Sequence, residues 1–329
     1  SSDLPTPSHP PRGDPLRGWQ RAAGAALDQE DFAALFTTLP EPERALLLSQ
    51  AGPHAATTFT TFPTSPEFQF DNAPYRTLLL RRLRLALGLA PAHCRCGRAM
   101  DAYGDHRAAC ATSGALRARA VPIERALARI FREAGARVHM HVPLANMNFD
   151  PPPADARAIE ILAQGLPLYQ GAQLAVDATL VSPVGRDGTA HPHTTTTPGA
   201  AIAQATRRKR VSVYPEFEQQ RRCRLIVVGL EVGGRWGQEA HTLLHRLAVA
   251  KARSVQQPLR AAAVGAYTRR WAALLSCAAS HAFAASLLEL PLGAADHTDG
   301  DPPPLPDLLA EARDDTPPLP SRLPLTQGA

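Results

Sequence analysis

The chain has 329 residues and 44% hydrophobic content, enough for one sizeable core, while 32 prolines, near twice the usual share of roughly 5%, announce long irregular segments. A net charge of +5, carried mostly by arginine, favours a polyanionic partner, and no apolar run reaches the roughly 18 residues that a membrane span needs. Five cysteines, three of them between Cys94 and Cys110, do not form the pattern of a secreted disulfide framework and fit an intracellular metal site.

The first 18 residues are rich in Pro, Ser and Asp and are expected to be disordered. They hold no signal-peptide core and no initiator Met, so the chain reads as the carboxy-terminal piece of something longer. Residues 19–92 form a helical connector, with helical periodicity over 19–52 broken by LPEPE at 39–43. An irregular Thr/Phe/Pro stretch follows at 51–74, and then an amphipathic basic helix is predicted from Tyr75 to Leu89. The arginines of that helix, Arg76, Arg81, Arg82 and Arg84, either contact phosphates or form a solvated face over leucines.

Residues 93–113, around CRCGRAMDAYGDHRAAC, place Cys94, Cys96, His106 and Cys110 in a Cys-x-Cys and His-x-x-x-Cys pattern. Three thiolates and an imidazole in paired spacing are the ligand types of a structural zinc knuckle, a module too short to fold on its own core.

A helix is predicted over Leu116 to Glu133, carrying Glu124 among apolar neighbours, then a strand over Arg137 to Leu144. Arg157 to Val181 reads as two apolar strands joined by a reversing Gly165 to Gly171 connection, with Glu160 in the first strand and Asp177 in the second. Carboxylates in apolar strands are costly unless something binds them, and two side by side make a seat for a hard divalent cation. A surface loop then leads to a helix over Ala200 to Val213, which carries Arg207, Arg208, Lys209 and Arg210 ahead of Tyr214. Cys223 to Val232 is a buried strand ended by Gly233 and Gly234, followed by a helix from Gln238 to Lys251. Glu231, at the end of that strand, is either a third metal ligand or the partner of Arg235, the ion pair being the favoured reading. One or two further helices fill Val255 to Leu290, and residues 291–329, rich in Asp and Pro, are expected to be disordered. The elements together predict an α/β (α+β) fold, a small mixed sheet flanked by helices, with its core over 115–250 and helices packing on it over 251–290.

The order of CxC, HxxxC, a helix with Glu, an acidic strand pair, then a Lys on the next helix followed by Tyr, resembles the carboxy-terminal region of non-LTR retrotransposon proteins. In those proteins a CCHC zinc knuckle and a restriction-enzyme-like PD-(D/E)xK endonuclease follow the reverse transcriptase. QAGPHAATTFTTFPTSPEF at 50–68 also resembles the connector upstream of the knuckle, so the likeness spans residues 45–290. It implies that Glu160 and Asp177 bind a catalytic Mg2+, that Lys209 is the displaced catalytic lysine with Tyr214 as its aromatic partner, and that Glu124 completes the metal shell or bonds Lys209. It further implies structural Zn2+ at the knuckle. A DNA target and element RNA would be the partners, gripped by Arg81, Arg82, Arg84, Arg207, Arg208 and Arg210, in the nucleus and without membrane attachment. The chain departs from the pattern in two places: Ile159-Glu160 stands where the family has Pro-Asp, and Thr179 occupies the site two residues after Asp177 where a lysine is usual. Three readings remain open: an active metal-dependent endonuclease nicking target DNA for integration, a catalytically inactive nucleic-acid-binding module, and a degenerate remnant. No Phe-x-Asp-Asp motif occurs, so reverse transcription would belong to an amino-terminal portion that these 329 residues lack.

Overall fold

The computed structural model describes residues 19–147, 149, 155–291 and 303–314. The expected disorder of residues 1–18 therefore lies outside the described residues, as does most of the loop at 151–155.

The connector consists of α1 (Trp19–Thr38), α2 (Glu41–Ser49), the single turn α3 (Thr57–Thr60) and α4 (Asn72–Arg82). Pro42 lies in the first turn of α2, where its missing N–H costs nothing. α4 ends seven residues before the predicted boundary at Leu89, because Arg84 takes a left-handed conformation (φ 57°) that turns its guanidinium back onto Asp105 at 2.6 Å. The knuckle region holds the short α5 (Asp105–Ala109). Next come α6 (Ala115–Ala118) and α7 (Ala120–Glu133), so the expected long helix is broken at Arg119.

The sheet is formed by β1 (Arg137–Pro143), β2 (Ala158–Gln164), β3 (Gln173–Val181) and β4 (Cys223–Glu231), in that spatial order. β1 and β2 pair antiparallel, as do β2 and β3, and β4 joins β3 in parallel. A parallel pair needs a long crossover. It is supplied by α8 (Ala200–Arg208), a wider π turn at Lys209–Val213 and a 3-10 segment at Pro215–Gln219. The mixed α/β class expected from the sequence is the fold observed.

Both faces of the sheet are covered. Ile161, Ala163, Leu174, Val176, Ile226, Val228 and Leu230 pack with α7, α9 (Gln238–Ala252) and the 29-residue α10 (Arg260–Leu288). The other face, with Leu162, Ala175, Leu225 and Val227, packs against Tyr214 and Phe217 of the crossover. Each fully buried large side chain contributes roughly 1.5–3 kcal/mol, so the uninterrupted LIVVGL run of β4 anchors both layers. α10 is long and apolar enough to cross a membrane by composition, but it is the central core helix, touching α4, α5, α7 and α9. At its heart Glu133 accepts hydrogen bonds from Arg270 (3.0 Å), from the Trp271 indole (2.7 Å) and from Arg129 (3.1 Å), a buried polar network.

The described part of the carboxy-terminal tail corrects the expectation of disorder. Residues 305–314 form α11 (Leu305–Asp314), whose Leu308 is buried in the main core against α10. Proline and aspartate around LPDLLAEARD obscured a short amphipathic helix.

Two glycine positions determine how layers meet. A Cβ on Gly229 would sit 2.4 Å from Ile202 Cγ2, so α8 crosses β4 only because that position is bare. A Cβ on Gly233 would lie 2.0 Å from Ser49 Oγ, which is how α2 docks on the turn after β4.

Candidate metal-dependent active site

The register Ile161↔Val176 between β2 and β3 sets Glu160 opposite Asp177 one step further along, on the same face of adjacent strands. Asp177 is fully buried, and its Oδ2 accepts a hydrogen bond from Lys209 Nζ at 2.6 Å. Lys209 comes from the π turn that continues α8, the kind of local widening that recurs at functional sites. Glu160 Oε2 accepts the Ala178 N–H at 2.5 Å. Glu124, on the second turn of α7, closes the group: its charge acts on Glu160, and those of Asp177 and Lys209 act on it. The structure therefore brings together Glu124, Glu160, Asp177 and Lys209, three carboxylates against one amine.

Burial, more than that imbalance, sets their protonation. Burial, then repulsion from Asp177, pushes Glu160 up to about 8. Burial raises Asp177 too, outweighing the opposing pull of Lys209, and burial raises Glu124. Asp177 Oδ1 and Glu124 Oε2 are buried without a hydrogen-bond partner, which is costly for a carboxylate. Both features are ones that a bound divalent cation with hard-oxygen preference would relieve. Tyr214 is buried beside them, its hydroxyl donating to the Ala158 carbonyl at 3.0 Å and its ring 5.8 Å from Lys209 Nζ. It ties the lysine-bearing segment to β2. Burial, then the charges of Asp177 and Glu160, raises its pKa and keeps the phenol protonated.

The chain matches no protein-family model and no curated protein. Its chemistry is thus read from the geometry of its own side chains.

The second cluster is Cys94, Cys96, His106 and Cys110, whose ligand atoms all lie within 4.8 Å of one another and could hold a metal such as zinc. His106 Nε2 lies 3.2 Å from Cys96 Sγ, while Nδ1 lies 2.9 Å from the Arg186 carbonyl. Donation from Nδ1 to that carbonyl leaves Nε2 free to bind a metal. Asp101 shapes the loop by accepting the Tyr103, Asp105 and His106 N–H groups at 2.7–2.9 Å. Sequence reading missed both Asp101 and Arg186. An acid ahead of a Gly-Asp turn was a visible signal for the first, whereas the Arg186 carbonyl, 80 residues from His106, left none.

The basic residues divide. Arg81 is buried against Asp105 at 3.0 Å, and Arg84 shares the same carboxylate. Arg82 stacks over Phe59 (5.1 Å) and donates to the Gln50 carbonyl at 3.3 Å. Arg81, Arg82 and Arg84, expected to contact phosphate, thus also brace the connector and the knuckle within the fold, while Arg76 on α4 is exposed. Arg207 and Arg208 are exposed next to Lys209, and the charge of Arg208 acts on Asp177. Arg210 is paired with Glu239 at 2.6 Å. Glu231 stands outside the carboxylate cluster. It is pushed up to about 7 by burial, with the charge of Arg235 opposing, and its carboxylate accepts the Ile202 N–H in the first turn of α8. It acts as the cap that Gly199 cannot provide.

Proposed function

We propose that the chain is the metal-dependent DNA endonuclease module of a non-LTR retrotransposon protein, built on a restriction-endonuclease-like core behind a zinc knuckle. The observation that carries this reading is the buried group of Glu124, Glu160 and Asp177 around a single lysine, on a mixed sheet whose last strand is parallel. Glu160 and Asp177, with Glu124 beside them, would hold Mg2+. When bound, that ion polarises the scissile phosphate and lowers the pKa of a coordinated water.

The chain's own groups supply the rest. Lys209 places a fixed positive charge where negative charge grows on the phosphorus-bound oxygens, and it orients the attacking water. Tyr214 holds the lysine segment against β2, so the lysine meets the strands in one register. The exposed Arg207 and Arg208 extend positive potential away from the centre along the path a DNA backbone would take. At the knuckle, Zn2+ bound by Cys94, Cys96, His106 and Cys110 would tie the connector to α10, since Arg107 in the same segment donates to the Leu287 carbonyl at 2.5 Å. Element RNA is a further proposed partner, and an amino-terminal reverse transcriptase would make up the remainder of the full-length protein.

One observation favours an inactive, nucleic-acid-binding relative as the second reading: Lys209 closes directly on Asp177 Oδ2, an oxygen a metal would need. Incubation of the purified protein with supercoiled plasmid and Mg2+ separates the two. The nuclease reading expects nicked circles, and DNA binding without nicking supports the alternative.

A further inference from the structure

His141 stands at the mouth of this carboxylate group and has no place in the family pattern described above. It lies in the middle of β1, yet its backbone is left-handed (φ 52°), a conformation that residues with a Cβ seldom adopt inside a strand. The consequence is local. The β1–β2 pairs run from Arg137↔Gln164 to Met140↔Ile161 and resume at Val142↔Ile159, and the step skipped is His141 opposite Glu160. The turned backbone delivers the imidazole to the acids: Nε2 lies 3.6 Å from Glu124 Oε2, the same oxygen that is buried without a hydrogen-bond partner. The imidazole is 63% exposed, whereas the side chains of Glu124, Asp177 and Lys209 are 6%, 0% and 17% exposed. His141 is therefore the outermost side chain of the group, and a backbone held in a rare conformation around a reactive centre is a recurrent mark of function.

We propose that His141 is a substrate-binding residue of the nuclease, its imidazole donating a hydrogen bond to the DNA phosphate next to the one that is cut, with Glu124 orienting the ring. The assignment rests on the endonuclease reading and deepens it by naming the group that meets the strand at the rim. A phosphate oxygen is the acceptor that fits, because the exposed imidazole offers a nitrogen donor to solvent at the rim of a group that also carries Lys209 and, beside it, the exposed Arg207 and Arg208.

The test compares wild type, His141→Gly and His141→Asn on an oligonucleotide duplex. Glycine relieves the left-handed backbone and removes the donor, so His141→Gly is expected to melt no lower than wild type while its KM for DNA rises about tenfold, the size of one hydrogen bond to a charged group. Asparagine tolerates the backbone and restores a donor, and it should recover part of the KM. A duplex with a methylphosphonate at the phosphate beside the cut should raise KM for wild type and leave His141→Gly unchanged. An unaltered KM in His141→Gly overturns the assignment while leaving the nuclease standing. A wild type that does not nick overturns both.

Discussion

Replacing the titratable carboxyl of Glu160 by an amide should make the metal-free protein more stable and the nuclease dead. Glu160 is held opposite Asp177 in a dry stretch of the sheet, and burial with that neighbour lifts its carboxyl from 4.5 to about 8. An acid whose pKa rises on folding binds its proton more tightly in the folded state. Its contribution is therefore most favourable at pH below about 4.5 and is lost as pH climbs through about 8. At pH 7 the folded chain retains a proton that the unfolded chain has released over about 2.5 pH units, a cost of about 3 kcal/mol at roughly 1.36 kcal/mol per unit. At pH 5 the same cost is under about 1 kcal/mol. Glu160→Gln keeps the acceptor for the Ala178 N–H and deletes the titration. The variant should gain about 2–3 kcal/mol over wild type at pH 7, seen as a Tm rise of about 5 °C in a chain of this size, and the gain should shrink to near zero at pH 5. The assay is thermal unfolding by circular dichroism without added divalent cation, at pH 5, 6, 7 and 8, comparing the two proteins at each pH so that all other titrations cancel. Added Mg2+ should narrow the gap by stabilising wild type alone. A difference that is independent of pH, or a variant less stable than wild type at pH 8, would refute the reasoning.

Three other perturbations test separate parts of the account. Glu133→Ala strands the buried Arg270 and the Trp271 indole and should lower stability by about 3–5 kcal/mol in urea unfolding. A loss below about 1 kcal/mol would show that Glu67, 3.8 Å from Arg270, suffices as a partner. Gly229→Ala drives a methyl group into Ile202 and should cost about 1–3 kcal/mol while displacing α8, so nicking should fall with stability; an unchanged Tm contradicts the close crossing. Cys96→Ser should reduce bound zinc, measured by atomic emission on the purified protein, from about one equivalent to a small fraction, and a preserved content would sink the knuckle.

What the sequence made legible is what depends on local pattern. The apolar runs around Glu160 and Asp177 announced two strands, because only a buried strand explains LAVDATLV with a lone acid, and the Gly165 to Gly171 connection forced their reversal. Lys209 was reached through motif order, and the structure sets its amine on Asp177. The partners of Arg81 and Arg84 were not legible because a buried and a solvated guanidinium look alike in sequence: the carboxylate that both contact lies more than 20 residues away at Asp105. His141 was invisible for a different reason. Its role depends on a single left-handed backbone angle that nothing in RVHMHVP encodes. The helix at Leu305–Asp314 was hidden by composition, since three prolines just before it and Pro306 in its first turn outweighed a short amphipathic stretch that is ordered by tertiary contact with α10.

The most direct test of the nuclease assignment is plasmid nicking by wild type and Asp177→Asn, in Mg2+ and with Ca2+ substituted. Asparagine is isosteric and should leave the circular dichroism spectrum unchanged, while removing the charge that Lys209 and a metal both require. The account predicts Mg2+-dependent conversion of supercoiled plasmid to nicked circle by wild type, and a rate at least about 100-fold lower for Asp177→Asn, as expected when a metal-binding carboxylate is lost from the centre. Equal nicking by both proteins, or none by wild type at any Mg2+ concentration, would contradict it.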